Sequence, residues 1–163
     1  KDRWIYDKNL DPVTGVPNHR FLAEFHLAVS EEVFKPDRRV FFLTFHITNL
    51  AELYETHSVD RGDAYLKQLM ALFSKMIPAQ KFIFRLSETC FLIMLMDRDQ
   101  KETEHLKSKL KHLLEHNPLN VNGVSMEAHT QWGVSTYPDD GRELFSLINQ
   151  SRTRLAQTTK AMA

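Results

Sequence analysis

At 163 residues the chain is about the length of one ordinary domain, able to bury a single core without disulfides or a structural metal. Lys+Arg and Asp+Glu both number 21, and no long block of one sign appears, which argues against a nucleic acid polymer as partner. The lone cysteine, Cys90, rules out an internal disulfide framework, and no apolar segment approaches the roughly 18 to 20 residues that cross a bilayer, so a cytoplasmic, reducing setting without membrane contact is expected for this segment.

The opening "KDRWIYDKNL", residues 1–10, reads as the end of a linker helix, and 11–163 as one domain. "DPVTGVPN" then gathers prolines, a glycine and Asx/Thr turn formers into a corner. From Pro17, Phe21, Leu22, Phe25, Val29 and Val33 recur every three to four residues and predict an amphipathic helix. "RVFFLTFHI" is rich in β-formers and predicts a buried strand. Thr48 is the expected N-cap of a short helix, "NLAELYETH". After "SVDRG" a longer helix carries Tyr65, Leu66, Leu69, Met70, Phe73 and Met76 on one face, with Pro78 just past its end.

"KFIF" and "FLIMLM" predict two strands of a hairpin joined by the polar step "SETC". A helix over about 98–116 follows, with Leu106, Leu110, Leu113 and Leu114 as a narrow stripe on a charged surface. Asn122-Gly123 is a type I′ hairpin signal, and the residues after it alternate as one strand through Val124, Met126, Ala128, Thr130, Trp132 and Val134. "PDDG" is a turn, and Leu144, Phe145, Leu147 and Ile148 open the last helix. Hairpin-paired strands with helices between them predict an α+β fold, one sheet flanked by helices, rather than a doubly wound parallel sheet. The non-Met start, the lack of a secretory h-region and the helical ends lead us to expect a module of a longer protein.

These pieces, in their order and spacing, resemble the GGDEF family of diguanylate cyclases over nearly the whole chain. Asp11, Thr14, Gly15, Asn18 and Arg20 match its D-x-L-T-G-L-x-N-R-R stretch, and Gly62 and Asp63 the second half of G-H-x-x-G-D. Gly133, Ser135, Pro138, Asp140 and Gly141 fit its late S-x-G-x-x-x-P-x-D-G stretch approximately. The resemblance implies a palm-like nucleotidyl-cyclase fold with a mostly antiparallel central sheet. It also implies that "RLSETCF", Arg85 to Phe91, lies where R-x-G-G-D-E-F would be, with Ser87, Glu88, Thr89 and Cys90 at the four changed signature positions.

Active family members hold two Mg²⁺ between a first-strand carboxylate and a signature acid, since a hard cation bridging phosphates needs anionic oxygen ligands. By the family's D-x-D-x-F-K-x-x-N-D spacing, His46 and Thr48 stand at the first-strand aspartates, so no carboxylate remains at these or at Thr89 and Cys90. Glu88 puts bulk and negative charge where a glycine would let the backbone approach the triphosphate. The guanine contacts map to Tyr54 and Asp63, of which Asp63 alone keeps its type; it reads either as a retained nucleotide contact or as an acid favoured at a helix N-terminus. The inhibitory R-x-x-D motif would fall at residues 78–81, which read "PAQK", so feedback binding of cyclic di-GMP is not expected.

The expectation is therefore a catalytically inactive regulatory or dimerisation domain of a bacterial cyclic di-GMP signalling protein, coupled to an EAL phosphodiesterase or sensor domain. It would have no metal, no cofactor and at most weak GTP binding. The alternative is an active cyclase, needing Mg²⁺ and GTP, with His46 and Glu88 as unusual ligands; a one-residue slip that recruited Glu88 would turn "FLIMLM" out of the core. Among the remaining candidates, His46 reads as a rim or core residue or a ligand, and His112 and His116 as a solvated helix face or a metal pair. Cys90 reads as a small hairpin residue or a nucleophile without a visible His–Asn partner.

Overall fold

The computed structural model describes residues 7–77, 81–96 and 99–162. Among these residues are helices α1 (His19–Val33), α2 (Leu50–His57), α3 (Val59–Met76), α4 (Gln100–His116) and α5 (Leu144–Met162) and strands β1 (Val40–Ile47), β2 (Lys81–Arg85), β3 (Cys90–Met96), β4 (Leu119–Val121), β5 (Val124–Met126) and β6 (Thr130–Tyr137). The main sheet has the order β2-β3-β1-β6, every pairing antiparallel, while β4 and β5 form a separate two-stranded ribbon. This is the expected α+β architecture.

Alternation along β1 divides the core. Phe41, Leu43, Phe45 and Ile47 face one way and pack with Leu53, Tyr65, Leu69 and Phe73 of α2 and α3 and with Leu106, Leu110 and Leu114 of α4. Val40 and Phe42 face the other way, with Leu22 and Phe25 of α1 and Leu144, Leu147 and Ile148 of α5. Covered on both faces, the central strand has no solvated side, which explains its almost continuous apolar run. Cross-strand register pairs Arg85 with Phe91 and His46 with Cys90, and Phe91 is fully buried. The hairpin thus keeps the unslipped register.

Several boundaries differ from the sequence expectation for identifiable reasons. Of the expected N-terminal helix, the described part is a short 3₁₀ turn, Asp7–Asn9; residues 1–6 lie outside the described residues. Helix α1 begins at His19 rather than Pro17: Asn18 Oδ1 accepts from the N–H groups of Arg20 (3.0 Å) and Phe21 (3.4 Å), while Pro17 bridges back to Leu10. Thr48 does not cap α2. Its hydroxyl donates to the His129 carbonyl (3.2 Å), Asn49 holds the cap position, and the Asn49 side chain bonds Glu127 O and His129 N instead.

Those same bonds explain why the strand expected over 124–134 is two strands. Glu127 to His129 leave the ribbon and re-enter the main sheet, pinned by Asn49, while the in–out alternation of side chains runs through the break. The Asn122-Gly123 turn is present, both residues at positive φ (50° and 84°) as a type I′ turn needs. Helix α4 begins with a reciprocal capping box between Asp99 and Glu102.

Candidate functional site, a cleft beside the β2–β3 hairpin

The turn after residue 10 is built on Asp11. Its carboxylate accepts from the N–H (2.9 Å) and hydroxyl (2.7 Å) of Thr14, and Gly15 supplies the positive φ of 79° that closes the loop. Arg85, at the end of β2, then reaches across 74 residues of sequence to place Nη1 at 3.0 Å from both Asp11 oxygens. Its Nη2 donates to the Glu88 carbonyl (2.6 Å), and its guanidinium lies 5.4 Å from the Phe91 ring centroid. The Arg85 N–H donates to Pro17 O (2.8 Å), completing a seam between turn and hairpin. Arg85 and Asp11 are only 8% and 9% exposed. The sequence marked Asp11 as a family match and Arg85 as an alignment anchor; their pairing was the signal it did not carry.

Beside this seam is a cleft of about 770 Å³. Pro12, Val13, Leu50, Ala51 and Val59 give it apolar walls, and Glu55, Asp63 and Glu88 contribute carboxylates. Ser87, Glu88 and Thr89 line it; His46, Thr48 and Cys90 do not. Cys90 belongs to β3 and is 4% exposed, its side chain turned into the α1/α5 core. Burial pushes its thiol pKa up, with Arg152 pulling the other way, and together with its place in the core, away from the cleft, this argues against a nucleophile or a thiolate ligand there. His46, its register partner, is half-buried on the same side of the sheet.

These donors fit magnesium poorly. A hard cation wants several anionic oxygens, whereas the four relevant positions offer an imidazole, a hydroxyl committed to His129, a second hydroxyl and a buried neutral thiol. Among the described residues no group of three or more His, Cys, Asp or Glu is placed to hold a metal ion. His112 and His116 stack with ring centroids 4.4 Å apart on α4, with no further ligand joining them among those residues. Residues 78–80 of the expected inhibitory stretch lie outside the described residues; Lys81 opens β2.

Tyr54 is the residue whose role the sequence understated. It leaves α2 just before the corner at Ser58, a non-glycine residue held at φ 110°, ψ 160°, a strained conformation for a side-chain-bearing residue at about 1–3 kcal/mol. That corner folds the Tyr54 ring against Gly62 and lets its hydroxyl donate to Asp63 Oδ1 at 2.6 Å. Burial first, then the Asp63 bond and charge, push the phenol pKa up to about 12, against the opposing influence of Arg85. The folded protein therefore holds this proton more tightly than the unfolded chain does, so the contribution to stability is whole below about pH 10 and is lost as pH rises towards 12. Spectrophotometric titration should show one late-ionising phenol fewer in Tyr54→Phe than in wild type, because burial raises the pKa of Tyr65 as well and that phenol remains in both.

The late motif is structural. Asp140 accepts from the Thr136 N–H (2.7 Å) and, through its two oxygens, from Arg154 (3.0 and 2.8 Å), so the turn chemistry expected there is extended by an ion pair. The Arg154 hydrogen bond holds the Asp140 carboxyl below the usual range. Gly133 is required by contact: a Cβ there would run into the Ser151 carbonyl oxygen and stand 3.0 Å from Leu155 N.

An antiparallel sheet with helices on both faces and a cleft at one hairpin tip is the frame in which the sequence motifs sit together. The family model described as "Diguanylate cyclase, GGDEF domain" matches residues 8–163, and the chain belongs to that family. No curated protein matches the sequence. Among solved structures, a sensory box/GGDEF family protein from Caulobacter crescentus is 23% identical, with 94% of this chain and 99% of that one covered at a TM-score of 0.81. The FimX GGDEF domain from Pseudomonas aeruginosa is 17% identical, with 94% of each chain covered at 0.81. The coiled coil and GGDEF domain of Caulobacter crescentus DgcB, solved in complex with c-di-GMP, is 10% identical, with 98% and 85% covered at 0.80. At these identities the likeness establishes the fold. No helix among the described residues is long and apolar enough to cross a membrane.

Proposed function

We propose that this chain is a catalytically inactive GGDEF domain serving as a regulatory or dimerisation module of a bacterial cyclic di-GMP signalling protein. The observation that carries this reading is the donor set: His46, Thr48, Thr89 and Cys90 stand at the acid positions, and Cys90 is buried away from the cleft. Phosphoryl transfer depends on positioning and charge neutralisation, so loss of the metal ligands removes several kcal/mol of transition-state stabilisation, each 1.36 kcal/mol being about tenfold in rate. Glu88 and Glu55 beside the cleft further oppose a triphosphate. What the chain retains is scaffold, in Asp11, Thr14, Gly15, Arg85 and Gly133. A scaffold without its chemistry suits coupling to neighbours, namely an EAL phosphodiesterase or sensor domain in a cytoplasmic assembly, with residues 1–10 as the linker into the 11–163 domain. DgcB, where a coiled coil adjoins the GGDEF domain, offers a precedent for such a connection.

The test is direct. Incubated with GTP and Mg²⁺ or Mn²⁺, the purified domain should form cyclic di-GMP several orders of magnitude more slowly than a family member with an intact signature. Comparable turnover would overturn the reading in favour of a cyclase using His46 and Glu88.

A further inference from the structure

Helix α4 ends on two histidines that the cleft does not use. His112 and His116 lie one turn apart and both are exposed, their rings nearly parallel at 15° with centroids 4.4 Å apart. Nδ1 of His116 stands 3.3 Å from the His112 carbonyl oxygen. A carbonyl can only accept, so Nδ1 carries the proton in this contact and the neutral ring keeps its lone pair on Nε2. Ligating histidines are commonly oriented in this way, the second ring nitrogen donating to a main-chain carbonyl. The position suits a cation too, since the last turns of a helix carry its free carbonyl ends. Oε2 of Glu115, between the two in sequence, is engaged by the Thr130 hydroxyl (3.0 Å) and N–H (3.4 Å), which leaves the imidazoles as the donors.

We propose that His112 and His116 form a two-point chelate for a transition-metal ion, Zn²⁺ in the first instance, on the outer face of α4. Imidazole nitrogen suits zinc, copper and nickel, whereas Mg²⁺ and Mn²⁺ are better served by oxygen ligands. Zinc binds imidazole at about 2.0–2.1 Å in a tetrahedral set, so rotation of two rings already 4.4 Å apart brings both nitrogens within its reach. The other two positions go to water or to a donor from outside the chain. Once one imidazole holds the ion, the second binds intramolecularly, and that effective concentration separates the pair from a lone exposed histidine. His105 is such a lone histidine, exposed on the same helix, about 10 Å along the axis from His112, and with Lys109 rather than a histidine four residues on. The site lies apart from the cleft, and its occupancy neither requires nor excludes cyclase chemistry.

Calorimetric titration of the tag-free chain with Zn²⁺ at about pH 7.5, where an ordinary imidazole is mostly neutral, tests the proposal. Wild type should take up one ion at the pair. His112→Ala and His116→Ala should each weaken binding on the order of a hundredfold, and the double variant should lose little more, because either change breaks the chelate. His105→Ala should leave the affinity as it is. In proton NMR the ring signals of His112 and His116 should shift together during the titration while those of His105 stay in place. No Zn²⁺ binding by wild type, equal binding by the double variant, a loss from only one of the two single changes, or a comparable loss from His105→Ala would overturn the proposal.

Discussion

Arg85→Ala should destabilise the domain by about 3–5 kcal/mol, the penalty for leaving one member of a buried ion pair uncompensated. Asp11 would remain buried with only the Thr14 N–H and hydroxyl to satisfy it, and the Glu88 carbonyl would lose its donor at the tip of the hairpin. For a domain of this size that corresponds to a fall in melting temperature on the order of 10 °C. The double variant Asp11→Asn/Arg85→Ala should be less damaged than the sum of the single changes, because the charge and its complement leave together. Urea unfolding of the four proteins measures the cycle. A loss below about 1 kcal/mol for Arg85→Ala, the worth of a surface pair, would show that the seam does not hold the turn to the hairpin.

Gly133→Ala is expected to cost about 3 kcal/mol, the upper part of the usual range for overpacking. The clash is with backbone on α5, the Ser151 carbonyl and the Leu155 amide, and neither can swing aside as a side chain would. β6 is tied along its length to β1, so relief would require the whole of α5 to lift from the sheet, exposing Leu144, Leu147 and Ile148. Urea denaturation reads the effect. The same substitution at Gly62 meets a tyrosine ring instead of main chain, and should be milder for stability. A neutral result at Gly133 would mean that the α5 packing is looser than the contact implies.

Much of the fold was legible because its signals are local. Three-to-four-residue apolar spacing marked α3 and α4, Asn122-Gly123 marked a hairpin, and the two apolar runs around "SETC" marked another. Where the sequence misled, a long-range bond had taken over a local role. Thr48 looks like a cap, yet its hydroxyl is spent on a carbonyl 81 residues away. The break at 127–129 is invisible because alternation continues through it, and the residue that fixes it, Asn49, is 78 or more positions distant.

The site was legible as an inventory and not as an arrangement. Counting residues located Ser87, Glu88, Thr89, Cys90, His46 and Thr48, but could not place Cys90 in the core on the far side of the sheet from the cleft-lining Thr89. Nor could it show that Asp63 is engaged by Tyr54, since that bond depends on the unusual backbone at Ser58. Tyr54 and Asp63, the two positions that the family resemblance assigns to guanine contact, are thus turned towards each other, with the Asp63 carboxylate accepting from the chain's own phenol.

On the reading proposed above, the cleft has the family's scaffold without the capacity for a metal, and titration of the domain with Mn²⁺ followed by electron paramagnetic resonance tests it. The spectrum of free aqueous Mn²⁺ should persist through millimolar protein, in wild type and in Glu88→Gln alike, and the protein should leave the spectrum of the Mn²⁺–GTP complex unchanged. A bound Mn²⁺ spectrum in wild type that Glu88→Gln or Thr89→Ala abolishes would place a working metal site in the cleft and contradict it.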